Sequence, residues 1–254
     1  MTGVTRRAGI GAAIARELGR AGARLFVTFF RHYDALQTWG VEPDEPELLL
    51  RELAAIADDV AGIELDLSHP ASPADLFNQA RQRFGQIDIL INNAAHWEAG
   101  GIGEVGADQQ DRHHTVNVRA PVLLCAEFAR QPKLSRPGCS FNITSGQSHP
   151  PMPGNIAYAV TKAALDALTL TLSAELAGRG ITVNALDPGP TDTGWMTDQL
   201  RSKILQASPP GRISYPEEIA RLVRYLSGDA AASITGLVIR AQDEGWAAVV
   251  RGAG

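Results

Sequence analysis

Cysteine is scarce. Cys125 and Cys139 are the only two in 254 residues, so no disulfide framework can be drawn and a reducing, cytoplasmic setting is the simpler expectation. Long apolar runs are missing too: none approaches the ~20 residues a membrane-spanning helix needs, and no signal peptide is expected from Met1-Thr2-Gly3 onward. Basic charge is in deficit. The formal net charge is −5, whereas a nucleic-acid groove or an anionic membrane surface requires clustered Lys and Arg. The six histidines, His32, His69, His96, His113, His114 and His149, lack the i, i+4 spacing with an added carboxylate that metal ligands favour, so no metal site is expected. What remains is 44% hydrophobic residues and 25 glycines in a chain of single-domain size, the composition of an enzyme with a full core.

Helix-like and strand-like periodicity alternate from end to end, with no linker, repeat or low-complexity block, so residues 1–254 read as one domain. Gly9 to Gly22 reads as a helix, Leu25 to Phe30 as a buried strand, and His32 to Pro46 as a Pro-containing connection. Helices are expected over Glu47 to Val60, Pro73 to Phe84, Asp111 to Ala129, Tyr158 to Leu176, Asp198 to Gln206 and Pro216 to Leu226. Strands are expected at Ile63–Leu65, Ile87–Ile91, Ser140–Thr144, Ile181–Leu186 and Leu237–Ile239. Strands separated by helices of ten or more residues imply βαβ crossovers and a parallel sheet covered on both faces, the doubly wound α/β (Rossmann-type) architecture. In such sheets ligands bind beyond the carboxyl ends of the strands, which is where chemistry is to be sought.

Thr2 to Gly11 (Thr-Gly-Val-Thr-Arg-Arg-Ala-Gly-Ile-Gly) opens the first helix, and glycines there would let the backbone approach a pyrophosphate on the helix N-terminus. A glycine-rich turn can equally be a plain connector, and the dinucleotide reading wants a strand just before it. Here only two residues precede Gly3. Arg6, Arg7 and Arg31 are candidates for an extra phosphate, since guanidinium forks suit phosphate oxygens. Phe29 and Phe30 stand where an NAD site would place Asp or Glu, which favours NADP(H) over NAD(H); solvated surface arginines are the plainer alternative.

Tyr158 and Lys162, at i and i+4 on an expected helix, project from one face. An ammonium there favours the ionised phenol and lowers its pKa from ~10 toward the working range. Ser145, thirteen residues earlier and just past a strand, could face the same pocket and polarise a carbonyl oxygen. Asn117 sits inside an expected helix, where an amide needs a reason.

With these residues in order, the chain resembles the short-chain dehydrogenase/reductases, and the match runs nearly to Ile234-Thr235-Gly236. It rests on Thr2-Gly3 through Gly11, Asp66, Asn92-Asn93-Ala94-Ala95, Asn117, Ser145, Tyr158-x-x-x-Lys162 and Pro188-Gly189-x-x-x-Thr193. The resemblance implies Tyr158 as general acid/base, Ser145 as carbonyl orienter, Lys162 on the nicotinamide ribose and Asn117 holding a relay water. Cofactor contacts would come from Gly3, Arg6, Arg7, Gly9, Ile10, Gly11, Arg31, Asp66, Leu67, Asn93, Ala94 and Ala95, with Tyr158, Lys162, Pro188, Gly189, Thr191 and Thr193. Hydride would pass between the nicotinamide and a substrate carbon, interconverting a ketone, with 3-oxoacyl thioesters among the candidates, and a secondary alcohol. The implied partners are a small carbonyl or alcohol substrate and further copies of the chain, a homodimer or homotetramer built on the Tyr158 helix, where Ala159, Ala163, Ala164 and Ala167 permit close approach. A cofactor-binding scaffold of the same fold, without turnover, is the alternative.

Two departures stand out. Five residues separate Gly3 from Gly9 where the common pattern has three, a length also found in enoyl-thioester reductases of the superfamily; their Tyr-to-Lys spacing is wider than the four seen here. The first, central strand is also lacking, which points to a start placed downstream of the natural one. Ala247-Ala248-Val249-Val250 resembles such a strand, but four strand spacings of ~4.8 Å separate its expected position from the gap, so only a swap between subunits would bring it there. His96, Trp97, Gln147, His149, Met152, Trp195 and Met196 are candidates for the substrate pocket.

Overall fold

Alternating helices and parallel strands build the chain. The computed structural model describes residues 1–40, 42–132, 137–146, 151–207 and 212–241; Gln147, His149 and Ala247 to Val250 lie outside them. Helix α1 (Ile10–Arg20) is followed by β1 (Arg24–Phe29), the short α2 (Arg31–Ala35), α3 (Glu45–Ala54) and β2 (Asp59–Glu64). Next come α4 (Ser72–Phe84), β3 (Ile89–Asn92), α5 (Ala107–His114), α6 (Ala120–Arg130) and β4 (Gly138–Ile143). The chain continues with α7 (Ile156–Leu176), β5 (Ile181–Asp187), α8 (Asp198–Ala207), α9 (Pro216–Leu226) and β6 (Val238–Arg240). Pro73 and Pro216 sit in the first turns of α4 and α9, where the missing N–H costs nothing, and Gly85 (φ +76°) ends α4. Every residue of β4 and β5 is buried, as strands covered on both faces require.

All pairings are parallel, in the orders β1-β2 and β3-β4-β5-β6. Helices α1, α3 and α9 pack together on one face, while α4 packs on α6 and α7 on β5. One correction concerns the helix expected over Glu47 to Val60. It stops at Ala54, because Asp59 to Glu64 pair residue for residue with Arg24 to Phe29. Gly62 lets α3 lie directly on that strand, since a Cβ there would come within 2.8 Å of Leu50. Sheet pairing and close packing override the local helical pattern.

The expected lack of a first strand is refined rather than simply met. Met1 to Val4 run between β1 and β3 and bond to both: Thr28 N to Met1 O (3.0 Å) and Val4 N to Thr28 O (2.7 Å) on one side, Thr2 N to Ile91 O (3.1 Å) on the other. This short segment joins the two sheets at their carboxyl ends. Toward their amino ends a cavity of about 180 Å³, lined by Met1, Phe26, Phe77, Phe84 and Ile89 among others, separates them. The Met1 amine is buried there and donates to Phe26 O (2.8 Å); burial lowers its pKa to about 5.

A single long helical stretch spans Ala107 to Arg130, starting four residues before its expected first residue. Thr115–Arg119 within it form a π-turn. No described helix is long and apolar enough to cross a membrane.

Candidate active site

The glycine loop is shaped by backbone crowding. Gly3 has φ +72°, and a Cβ there would lie 2.7 Å from Ala94 Cα; a Cβ on Gly11 would lie 2.6 Å from Gly3 O. No side-chain Cβ fits at either position. The loop is stitched to the end of β3 through Asn93, whose Nδ2 donates to Thr2 O (3.1 Å) and Gly3 O (2.8 Å), and through Thr2 Oγ1, which accepts from Asn93 N and Ala94 N (3.1 Å each). Gly9, the N-cap of α1, offers no side-chain cap, so the helix's first N–H groups remain available beside an open cleft.

That cleft measures about 510 Å³. Of the expected cofactor residues, Gly3, Arg6, Gly9, Ile10, Asp66, Leu67, Asn93, Ala94, Ala95, Tyr158 and Thr193 line it. Gly11 and Lys162, both buried, do not line it. Pro188, Gly189 and Thr191 form a turn: Gly189 N bonds to Asp187 Oδ1 (2.9 Å) and Thr191 Oγ1 to Pro188 O (2.9 Å), presenting Thr193.

The three arginines part company. Arg6 lines the cleft, donating to Thr193 O (3.0 Å) with its guanidinium 5.6 Å from the Trp39 ring. Arg7 turns outward to Glu52 (3.3 Å). Arg31 does not line the cleft as expected: its guanidinium is held by Glu47, Glu64 and the carbonyl of Pro43. Two carboxylates on α3 and β2, distant in sequence, hold it away from the cleft.

Several cleft residues were missed from the sequence. Asp34 and Trp39, joined by Trp39 Nε1 to Asp34 Oδ1 (2.9 Å), lie on the connection after β1; burial pushes the Asp34 carboxyl up despite this bond. Tyr33 bridges the cleft, its hydroxyl accepting from Trp97 N (3.0 Å) while its ring packs 5.4 Å from His96. Their signal was position: all follow a strand's carboxyl end. His96 and Trp97 do line the cleft, whereas Met152, Trp195 and Met196 do not. Glu98 beside them accepts both guanidinium bonds of Arg112 (2.8 Å each), which, with His96, holds its carboxyl down at about 2. Among the described residues no group of three or more His, Cys, Asp or Glu could hold a metal ion.

Tyr158 and Lys162 emerge from the first turns of α7 behind the ends of β4 and β5. Ser145, just past β4, hydrogen-bonds the Tyr158 phenol. Lys162 Nζ lies 5.6 Å from the phenol ring centroid and donates to Ile143 O (2.7 Å). The expected lowering of the phenol's pKa by Lys162 is not found. Burial pushes Tyr158 up to about 12, Ser145 opposing, and burial pulls Lys162 down to about 8. Asn117 occupies the π-turn for a visible reason: its Oδ1 accepts from His96 N (2.7 Å), and its Nδ2 donates to His96 O (2.9 Å) and Thr161 Oγ1 (3.0 Å). Its amide therefore locks the loop after β3 to α7.

A family model described as "Enoyl-(Acyl carrier protein) reductase" matches residues 3–246. The chain belongs to the short-chain dehydrogenase/reductase family. Within this family it is 39% identical to an uncharacterized oxidoreductase, YjdA, of Bacillus subtilis, over 95% of this chain and 94% of that one. It is 34% identical to a 3-oxoacyl-[acyl-carrier-protein] reductase, FabG, of Pseudomonas aeruginosa, over 94% and 93%. A blue fluorescent protein from a metagenomic library, solved in complex with NADPH, superposes with a TM-score of 0.84 at 31% identity, covering 97% of this chain and 96% of that one. As a short-chain dehydrogenase/reductase the chain is an oxidoreductase.

Because a Cβ at Gly11 meets backbone oxygen at 2.6 Å, Gly11→Ala must push the glycine loop off the end of β3. A fluorescence titration with NADPH should show binding at least about tenfold weaker.

Proposed function

We propose that the chain is an NADP(H)-dependent oxidoreductase of the 1.1.1 type, interconverting a ketone and a secondary alcohol with Tyr158 as general acid/base. The observation that carries this reading is the convergence of Ser145 and Lys162 on Tyr158 at the wall of a dinucleotide-sized cleft, with Asn117 locking the adjoining loop. The cleft fits a nicotinamide dinucleotide: it has a side-chain-free glycine cradle, an uncapped helix N-terminus and an arginine at its edge. Such a cofactor, when bound, supplies the hydride donor or acceptor. Gly3, Gly9 and Ile10 would hold its pyrophosphate, Asp66 and Leu67 its adenine end, and Thr193 its nicotinamide end. Arg6 is the one of the three arginines aimed into the cleft, which supports NADP(H), as does the NADPH complex of the metagenomic relative; NAD(H) is the weaker candidate.

The chain's own groups divide the proton work. With a pKa of about 12 the phenol of Tyr158 is protonated at neutral pH and ready to give its proton to a carbonyl oxygen. Ser145 would orient that oxygen. Alcohol oxidation requires the phenolate, which a cationic Lys162 favours, and Lys162 is cationic below about pH 8. The four-residue Tyr-to-Lys spacing and the similarity to a 3-oxoacyl reductase favour a ketone, 3-oxoacyl thioesters included, over the double bond in the family model's description. The divided sheet favours the second reading, a cofactor-binding scaffold without turnover.

Tyr158→Phe should lower ketone reduction, followed by NADPH absorbance, at least about a hundredfold while changing NADPH affinity only severalfold; full residual activity would remove Tyr158 from the reaction. Titrations should show NADPH binding more tightly than NADH, and Arg6→Ala should erase most of that preference. Along α7, Val160, Ala163, Ala167 and Leu170 form an exposed apolar stripe at i, i+3, i+7 and i+10, which supports assembly through this helix. Sedimentation should report a homodimer or homotetramer, and a monomer would rule it out.

A further inference from the structure

Behind the phenol, charged groups from three elements meet at the carboxyl ends of the strands. Asp166 lies one turn beyond Lys162 on α7, on the same face, where Cβ atoms are about 5–6 Å apart. Asp187 ends β5 and pairs in register with Arg240, which ends β6. Lys162 Nζ is bonded to Ile143 O at the end of β4, and Ile143 is the register partner of Leu186, next to Asp187. Asp166 Oδ1 is buried, and the Thr144 hydroxyl stands beside the carboxylate as its neutral donor. A buried carboxylate oxygen served by no more than a neutral hydroxyl is costly. The ammonium one turn away is the group such an oxygen can serve through space.

We propose that Asp166 is a positioning residue for proton transfer, its carboxylate keeping Lys162 in the ammonium form that favours ionisation of Tyr158. This rests on the reading of Tyr158 as the acid/base. Burial pulls Lys162 down, and Asp166 followed by Asp187 act against that pull. The groups facing this pair are Tyr158 on α7 itself, the Ile143 carbonyl, Thr144 and Ser145 at the end of β4, Asp187 on β5 and Arg240 on β6; the π-turn presents the neutral Asn117. Arg240 offsets part of the acidic charge at Asp166, so the ammonium faces a cluster that is net acidic by one carboxylate.

The chain has three lysines, Lys133, Lys162 and Lys203, so carbon-13 labelling of lysine side chains gives three signals, with Lys162 assigned by its loss in Lys162→Arg. In Asp166→Asn the Lys162 titration should fall by about one to two pH units, from a pair near 6 Å at an effective dielectric near 20. The alkaline limb of the turnover–pH profile should move the same way, and Asp166→Glu should restore both. A Lys162 titration unmoved in Asp166→Asn overturns the proposal. Should that variant not fold, the wild-type Lys162 signal is read at acid pH, where protonation of Asp166 should add a second inflection; its absence likewise overturns the proposal. Tyr158→Phe separates the two levels. Retained turnover there defeats the acid/base reading, whereas lost turnover with an unmoved Lys162 titration in Asp166→Asn defeats only the role of Asp166.

Discussion

The seam at Met1 to Val4 is the constraint on which the rest of the site depends. Two sheets that share no strand pairing among the described residues are tied together by four residues: Met1 and Val4 bond to Thr28 on one side, and Thr2 bonds to Ile91, Asn93 and Ala94 on the other. The same bonds bring the glycine loop against the end of β3. At 2.6–2.7 Å from a hypothetical Cβ, the backbone contacts at Gly3 and Gly11 leave no slack, so the cleft's floor and the junction between the sheets are one piece of structure. Each hydrogen bond contributes only about 1 kcal/mol on its own. Their concentration on one short segment makes its placement cooperative.

A second organising feature is the polar layer where the strands end. Asn92, Asn142 and Thr169 form a buried chain of hydrogen bonds (2.8 Å each), and Lys162, Asp166, Asp187 and Arg240 continue the polar layer toward the phenol. In a low-dielectric setting such groups interact strongly and titrate far from their ordinary values. Tyr158 rises and Lys162 falls for the same reason, burial. The π-turn at Thr115–Arg119 serves this layer: the π-turn places Asn117 so that its amide meets the loop after β3 and Thr161 together.

Much of this could be read from the chain in advance. The short strand-like runs Ser140 to Thr144 and Ile181 to Leu186, set between helical patterns, marked β4 and β5, and Pro73 and Pro216 marked the starts of α4 and α9. The helix face shared by Tyr158 and Lys162 follows from a spacing of four. Less legible were interactions whose partners are distant in sequence. Nothing local to Arg31 indicates that Glu47 and Glu64 will hold it, and nothing in Asp59 to Gly62 shows that pairing with β1 will defeat a helical pattern. Asp34 and Trp39 sit in a connection with no periodicity, and only its position after a strand end brings them to the cleft.

The sequence by itself determined the class of fold and the order of the residues around the phenol, because these rest on periodicity and fixed spacing along one chain, and its motifs carried the resemblance to the family. The tertiary structure decided which arginine faces the cleft, how a four-residue segment joins two sheets, and that burial more than the neighbouring lysine shifts the phenol's ionisation. Those outcomes depend on desolvation and on contacts between residues far apart in the chain, quantities that exist only once the strands have been brought side by side.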